Sequence, residues 1–185
     1  CHEMRPWIWM LCTAILPLPA LGAASDAVSM VFREKNGHFD IHAQFQTPSD
    51  PGLVWSILTD FGNFPKLSHE LKKVEVTQKG KNHWLVDEMA ESGFLFVTQK
   101  VYFRLDVTGT PNRTLVSEDV GHKSFVSYKT SWEINPLQGG AGSELHYYLE
   151  AEGHFGGPAF MVNDHFSGGV RNFLEAVREE MKRKQ

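Results

Sequence analysis

At 185 residues, 42% hydrophobic and 22% charged, the chain has the length of one domain and the composition of a folded one, which excludes disorder. A formal charge of −4, with no basic cluster beyond Lys182, Arg183 and Lys184, excludes non-specific binding to nucleic acid or to an anionic membrane. Both cysteines, Cys1 and Cys12, fall in the first segment, so the rest has no disulfide, no cysteine nucleophile and no cysteine-ligated zinc.

Residues 1–24 read as a signal peptide: Arg5 is the positive end, Trp7 to Leu16 the apolar stretch, and Pro17 and Pro19 break it. Small residues around Gly22 set the expected cleavage after Ala24, leaving one domain over 25–185. The apolar run is too short to span a bilayer. A periplasmic or secreted protein is expected, with no stable membrane insertion after cleavage.

Asn36-Gly37 supplies the left-handed positions of a tight hairpin. Phe39, Ile41, Ala43 and Phe45 then alternate with polar residues, as in a strand with one buried face. The period changes at Asp50, an expected N-cap followed by Pro51. Val54, Ile57, Leu58 and Phe61 follow at helical spacing, and Trp55 is expected to pack this helix against the sheet edge. Asp60-Phe61-Gly62 is the triplet that opens a protein kinase activation segment. Without a glycine-rich loop, a strand lysine or an H-R-D loop that reading fails. The triplet is instead expected to hinge a two-helix corner: Phe61 inward, Gly62 permitting the bend, Asp60 bonding backbone, and Asn63 capping the second helix.

From Leu71 the period is two again. Strands are expected in 71–78 and 83–90, and a long one over 93–109, with Leu95, Val97, Gln99, Val101, Phe103, Leu105 and Val107 on one face. Further strands follow in 114–120, in 124–134 with Val126, Tyr128, Thr130, Trp132 and Ile134 on one face, and in 144–153 with Leu145, Tyr147, Leu149 and Ala151 on one face. Asp87 and Glu88 are adjacent in mid-strand, so one of them faces inward. Gly156-Gly157-Pro158 is a joint into a helix over about 158–184, whose stripe is Phe166, Val170, Phe173, Leu174, Val177 and Met181. The expected fold is α+β. A twisted antiparallel sheet curls around the one long helix and leaves space for a pocket between them.

The stretch Val54-Trp55, Leu58-Thr59-Asp60-Phe61 and Phe64-Pro65, with the strand series and the closing helix, resembles the START-like polyketide cyclase/dehydrase and lipid-transport superfamily. The likeness runs from Val28 to Lys184 and is nearest to the coenzyme Q-binding START-domain branch and its bacterial periplasmic relatives. It implies a helix-grip fold with a hydrophobic tunnel. Members bind lipids, quinones, sterols or polyketides, and a minority are enzymes.

His146 and His154 share strand parity with Glu150 and Glu152, but same-face residues four apart in a strand lie about 13 Å from each other, so no metal site is expected. Asp164 and His165 are adjacent on a helix and do not face each other, which assigns them to polar surface beside the pocket mouth. No serine-histidine-acid spacing, phosphate loop or dinucleotide fingerprint is present, so neither catalytic residues nor a cofactor are expected. The expected partner is a hydrophobic small molecule, held by Gln99, Val101, Phe103, Tyr128, Trp132, Tyr147, Phe166, Val170 and Phe173. Two other readings stand beside it: a cyclase/aromatase-like or hydrolytic enzyme, marked by a pocket carboxylate or histidine of displaced pKa, and a secreted protein-interaction module.

Overall fold

The computed structural model describes residues 27–94 and 97–185, so the expected signal segment and Leu95 lie outside the described residues. The first hairpin is β1 (Ser29–Lys35) and β2 (His38–Thr47), joined through Asn36 at φ +54 and Gly37 at φ +81. Two helices follow, α1 (Pro51–Leu58) and α2 (Phe64–Leu67), with a single 3₁₀ turn at Phe61–Asn63 between them. A meander then runs through β3 (Leu71–Gly80), β4 (His83–Phe94), β5 (Val97–Thr110), β6 (Thr114–Asp119), β7 (Ser127–Pro136) and β8 (Ser143–Glu152). Helix α3 (Ala159–Arg183) closes the chain.

All pairings are antiparallel, in the order β1-β2-β8-β7-β6-β5-β4-β3. The helices α1 and α2 therefore carry the chain from the first hairpin to the opposite edge, and the meander returns until β8 pairs with β2. The inward faces follow the two-residue period: Phe39, Ile41, Ala43 and Phe45 of β2 and Leu145, Tyr147, Leu149 and Ala151 of β8 are buried.

The corner before β3 is built by its caps. The Asp50 carboxylate accepts from the backbone N–H groups of Gly52 (2.8 Å) and Leu53 (3.1 Å), and Pro51 opens α1. Phe61 is buried, its ring meeting Trp84 edge-on at 5.5 Å. The other roles expected at this corner are not filled. Neither Asp60 nor Asn63 caps with its side chain; the bond at the break is between the Asp60 carbonyl and the Asn63 N–H, 3.0 Å. Gly62 has nothing near the position of a Cβ, and its φ is not positive. Trp55 does pack α1 onto the sheet: a Cβ on Gly109 would lie 2.5 Å from its ring, so only glycine lets the indole rest on β5.

Two strand expectations change. Phe94 of β4 pairs antiparallel with Val97 of β5, so 93–109 is the end of β4 followed by β5 rather than one strand. Val126 precedes β7 and is 54% exposed, because alternation holds only inside a strand; Phe125 is buried in its place.

Helix α3 is fixed at its C-terminal half. Leu174, Val177 and Met181 are fully buried, and the Ser49 hydroxyl donates to the Met181 carbonyl at 2.9 Å. The Ser143 hydroxyl donates to the Ser49 carbonyl at 2.8 Å, which ties the same loop to β8. Towards the N-terminus the apolar side chains Phe166, Val170 and Phe173 are only half-buried. Among the described residues no helix is long and apolar enough to cross a membrane.

Candidate functional site

A cavity of about 250 Å³ lies between the concave face of the sheet and the N-terminal half of α3. Strand parity decides what lines it. β4 contributes Val86, Glu88, Ala90 and Ser92; β5 contributes Val101, Phe103, Leu105 and Val107. β6 adds Leu115 and Ser117, β7 adds Tyr128, Thr130 and Trp132, and β8 adds Tyr147. Phe166, Val170 and Phe173 form the roof, and Leu58, Phe61 and Phe64 close the side at α1 and α2.

The expected binding residues are thus brought together, with one exception. Gln99 has the right parity on β5 but is exposed and does not line the cavity. The pairing of β5 with β6 ends at Leu105 and Asp119, so the β4–β5 hairpin overhangs the body of the sheet at Gln99, where no third strand flanks it. The missed lining residues include Glu88, Ser117, Thr130 and Phe125. Glu88 was legible, because Trp84 and Val86 set the inward parity of β4.

A polar band crosses this apolar face. Ser117 and Thr130 hydroxyls are 2.5 Å apart, and those of Tyr128 and Tyr147 share a hydrogen bond. Burial, then the charge of Glu88, raises the Tyr128 hydroxyl far above its ordinary value; burial also raises Tyr147, so both stay protonated. Burial alone raises the Glu88 carboxyl from 4.5 to about 7. No hydrogen bond or ion pair from the described residues reaches it, whereas its neighbour Asp87 faces the other way and accepts from Arg104 Nε at 2.7 Å. Phe103, Tyr128, Tyr147 and Trp132 form a contiguous aromatic run beside it: Phe103 and Tyr128 ring centroids are 4.6 Å apart, and Trp132 and Tyr147 4.8 Å.

At the rim, His165 of α3 meets Ser92 of β4 and Glu70 before β3. Ser92 Oγ is hydrogen-bonded to His165 Nε2, and Glu70 Oε1 lies 3.6 Å from the same nitrogen. A serine-histidine-acid relay needs its carboxylate on the opposite ring nitrogen. The Glu70 contact is not of that kind, and the three polar side chains meet at the mouth of the cavity. Asp164 is exposed. Among the described residues no group of three or more histidine, cysteine or carboxylate side chains is placed to hold a metal ion. His146 lies on the outer face, stacked near Tyr148 and His42.

The sequence matches the family described as polyketide cyclase/dehydrase and lipid transport over residues 47–178. The chain belongs to that family. Solved structures share the family's fold. A START superfamily protein from Mycobacterium smegmatis superposes with a TM-score of 0.64 at 18% identity, over 80% of this chain and 100% of that one. A STAR-related lipid transfer protein from Xanthomonas axonopodis gives 0.68 at 12% identity, over 85% and 95%. An aromatase/cyclase from Streptomyces gives 0.65 at 13% identity, again over 85% and 95%. At such identities the likeness is one of fold. No curated protein matches the sequence. The family's helix-grip architecture accounts for the cavity: a curved eight-stranded antiparallel sheet with a long C-terminal helix across its concave face.

Proposed function

We propose that this domain binds, and carries, a hydrophobic small molecule of lipid, quinone or polyketide-like kind in the sheet–helix cavity. The observation that carries the reading is the cavity itself: an apolar chamber under α3 with a few inward polar groups, the usual make-up of a small-molecule site. Its volume of about 250 Å³ lies just below the usual range of about 300–1,000 Å³. A single chain or a fused ring system suits it better than a two-chain lipid. The driving force is burial of ligand surface at about 25 cal/mol per Å², offset in part by the freedom lost on binding. Native mass spectrometry of protein purified from its source tests this: a retained small apolar mass is expected, and a ligand-free protein that also ignores hydrophobic probes would refute it.

A lipid or quinone carrier in an aqueous compartment suits the export read from residues 1–24, and the periplasmic or secreted location belongs to the same proposal. N-terminal sequencing of the soluble protein should begin near Ser25; retention of Trp7 to Leu16 would refute it.

The enzymatic reading has one observation in its favour. Glu88 holds or releases a proton near neutral pH inside an apolar site, which is what acid–base chemistry on a bound polyketide would require. Turnover of a poly-β-keto thioester analogue, lost in Glu88→Gln, would establish it; an unchanged substrate would remove it.

A further inference from the structure

The cavity lining is unbalanced in charge. It contains Glu88 deep inside and Glu70 at the rim, with His165 beside Glu70, and among the described residues it contains no lysine and no arginine. A ligand carboxylate or phosphate drawn into the chamber would meet Glu88 without a protein cation to receive it. The Glu88 carboxyl opens on the cavity and has no hydrogen-bond partner among the described residues. The neighbouring wall is aromatic, formed by Phe103, Tyr128, Tyr147 and Trp132. A carboxylate beside several ring faces is a combination that receives an organic cation: the ring quadrupoles attract it and the carboxylate neutralises it.

Resting on the binding function proposed above, we infer that the ligand is a lipophilic amine, its ammonium group paired with Glu88 among these rings and its apolar body under α3. The polar band supports the same placement. Tyr128 and Tyr147 share one hydrogen bond, as do Ser117 and Thr130, and among the described residues none of the four is hydrogen-bonded to Glu88, so its carboxyl faces the chamber beside them. Burial holds the Glu88 carboxyl at about 7, so above neutral pH the empty chamber carries a charge that a bound ammonium offsets. A neutral alcohol would fill the same apolar space but leave that charge uncompensated.

The test is a matched set of one-chain probes, octylamine, octanol and octanoate, titrated calorimetrically into the intact protein at pH 8 and low salt. Octylamine should bind at least ten-fold more tightly than octanol, and octanoate more weakly than both. In Glu88→Gln the octylamine-to-octanol ratio should fall to near one. Should the variant not fold, the octylamine-to-octanoate order in the wild type decides alone. Octanol binding with no preference for the amine, or octanoate binding as well as octylamine, overturns the inference and leaves the cavity function standing. If none of the three binds, the cavity function fails and the inference falls with it.

Discussion

Replacing Glu88 by glutamine should stabilise the domain at alkaline pH relative to its effect at acid pH. The amide is close to the carboxyl in size, so the cavity keeps its shape while the titrating group is lost. In the folded chain burial raises the carboxyl from 4.5 to about 7. A raised folded-state pKa means that the native protein holds this proton more tightly than the unfolded chain. The contribution therefore favours folding in full below pH 4.5 and is lost as the pH rises through about 7. At about 1.4 kcal/mol per pKa unit, the loss amounts to about 3 kcal/mol at pH 8. Urea unfolding of the wild type and Glu88→Gln at pH 4 and pH 8 reads it directly. Any pH-independent cost of the amide shifts both measurements equally, so the change in the difference isolates the carboxyl. A gap between the two proteins that is the same at both pH values would refute the placement of Glu88 in a desolvated chamber.

Other outcomes follow from the same geometry. Phe61→Ala should cost about 3–5 kcal/mol, the usual penalty for emptying a buried phenylalanine site, and an unchanged denaturation midpoint would contradict its place against Trp84. Gly109→Val should lower the thermal midpoint, since even its first carbon would lie 2.5 Å from the Trp55 ring and 2.9 Å from the Thr114 carbonyl oxygen, and a midpoint equal to wild type would contradict this close approach. Val170→Asp should unfold the domain or abolish binding of a hydrophobic fluorescent probe, because it puts an unpaired carboxylate in the roof; a folded variant that binds the probe as well as wild type would place the pocket elsewhere. Gln99→Leu, on the overhanging hairpin, should leave probe affinity unchanged in a titration.

Much of this architecture was legible because each element carried its own period. Phe39 to Phe45 alternate, Val54 to Leu58 do not, and Phe166 to Met181 repeat at helical spacing; those changes place the sheet, the corner and the long helix. Parity within strands also found most of the cavity wall, including Phe103, Tyr128 and Tyr147. What alternation does not encode is where a strand stops having neighbours. Gln99 obeys the inward parity yet faces water, since β6 no longer flanks β5 there. The division of 93–109 between β4 and β5 was hidden for a related reason: the sequence runs on apolar from Phe94 to Val97 without a glycine-asparagine signal. The cluster of Ser92, Glu70 and His165 joins three elements far apart in sequence, and only the folded topology brings them together.

The two sets of apolar residues on α3 place two physical demands on one helix. Leu174, Val177 and Met181 sit in the close-packed interior with the Ser49 link beside them, where a change of one methylene disturbs the fold. Phe166, Val170 and Phe173 line the void while Phe166 also packs on Phe39 and Phe125 and Phe173 on Phe64, so exchanging them alters the chamber's shape at some cost to the core. The same helix thus carries a close-packed anchor and a ceiling that borders empty space. The two sets meet at Phe173 and Leu174, where adjacent residues answer to different neighbours, one to the chamber and the other to the packed interior.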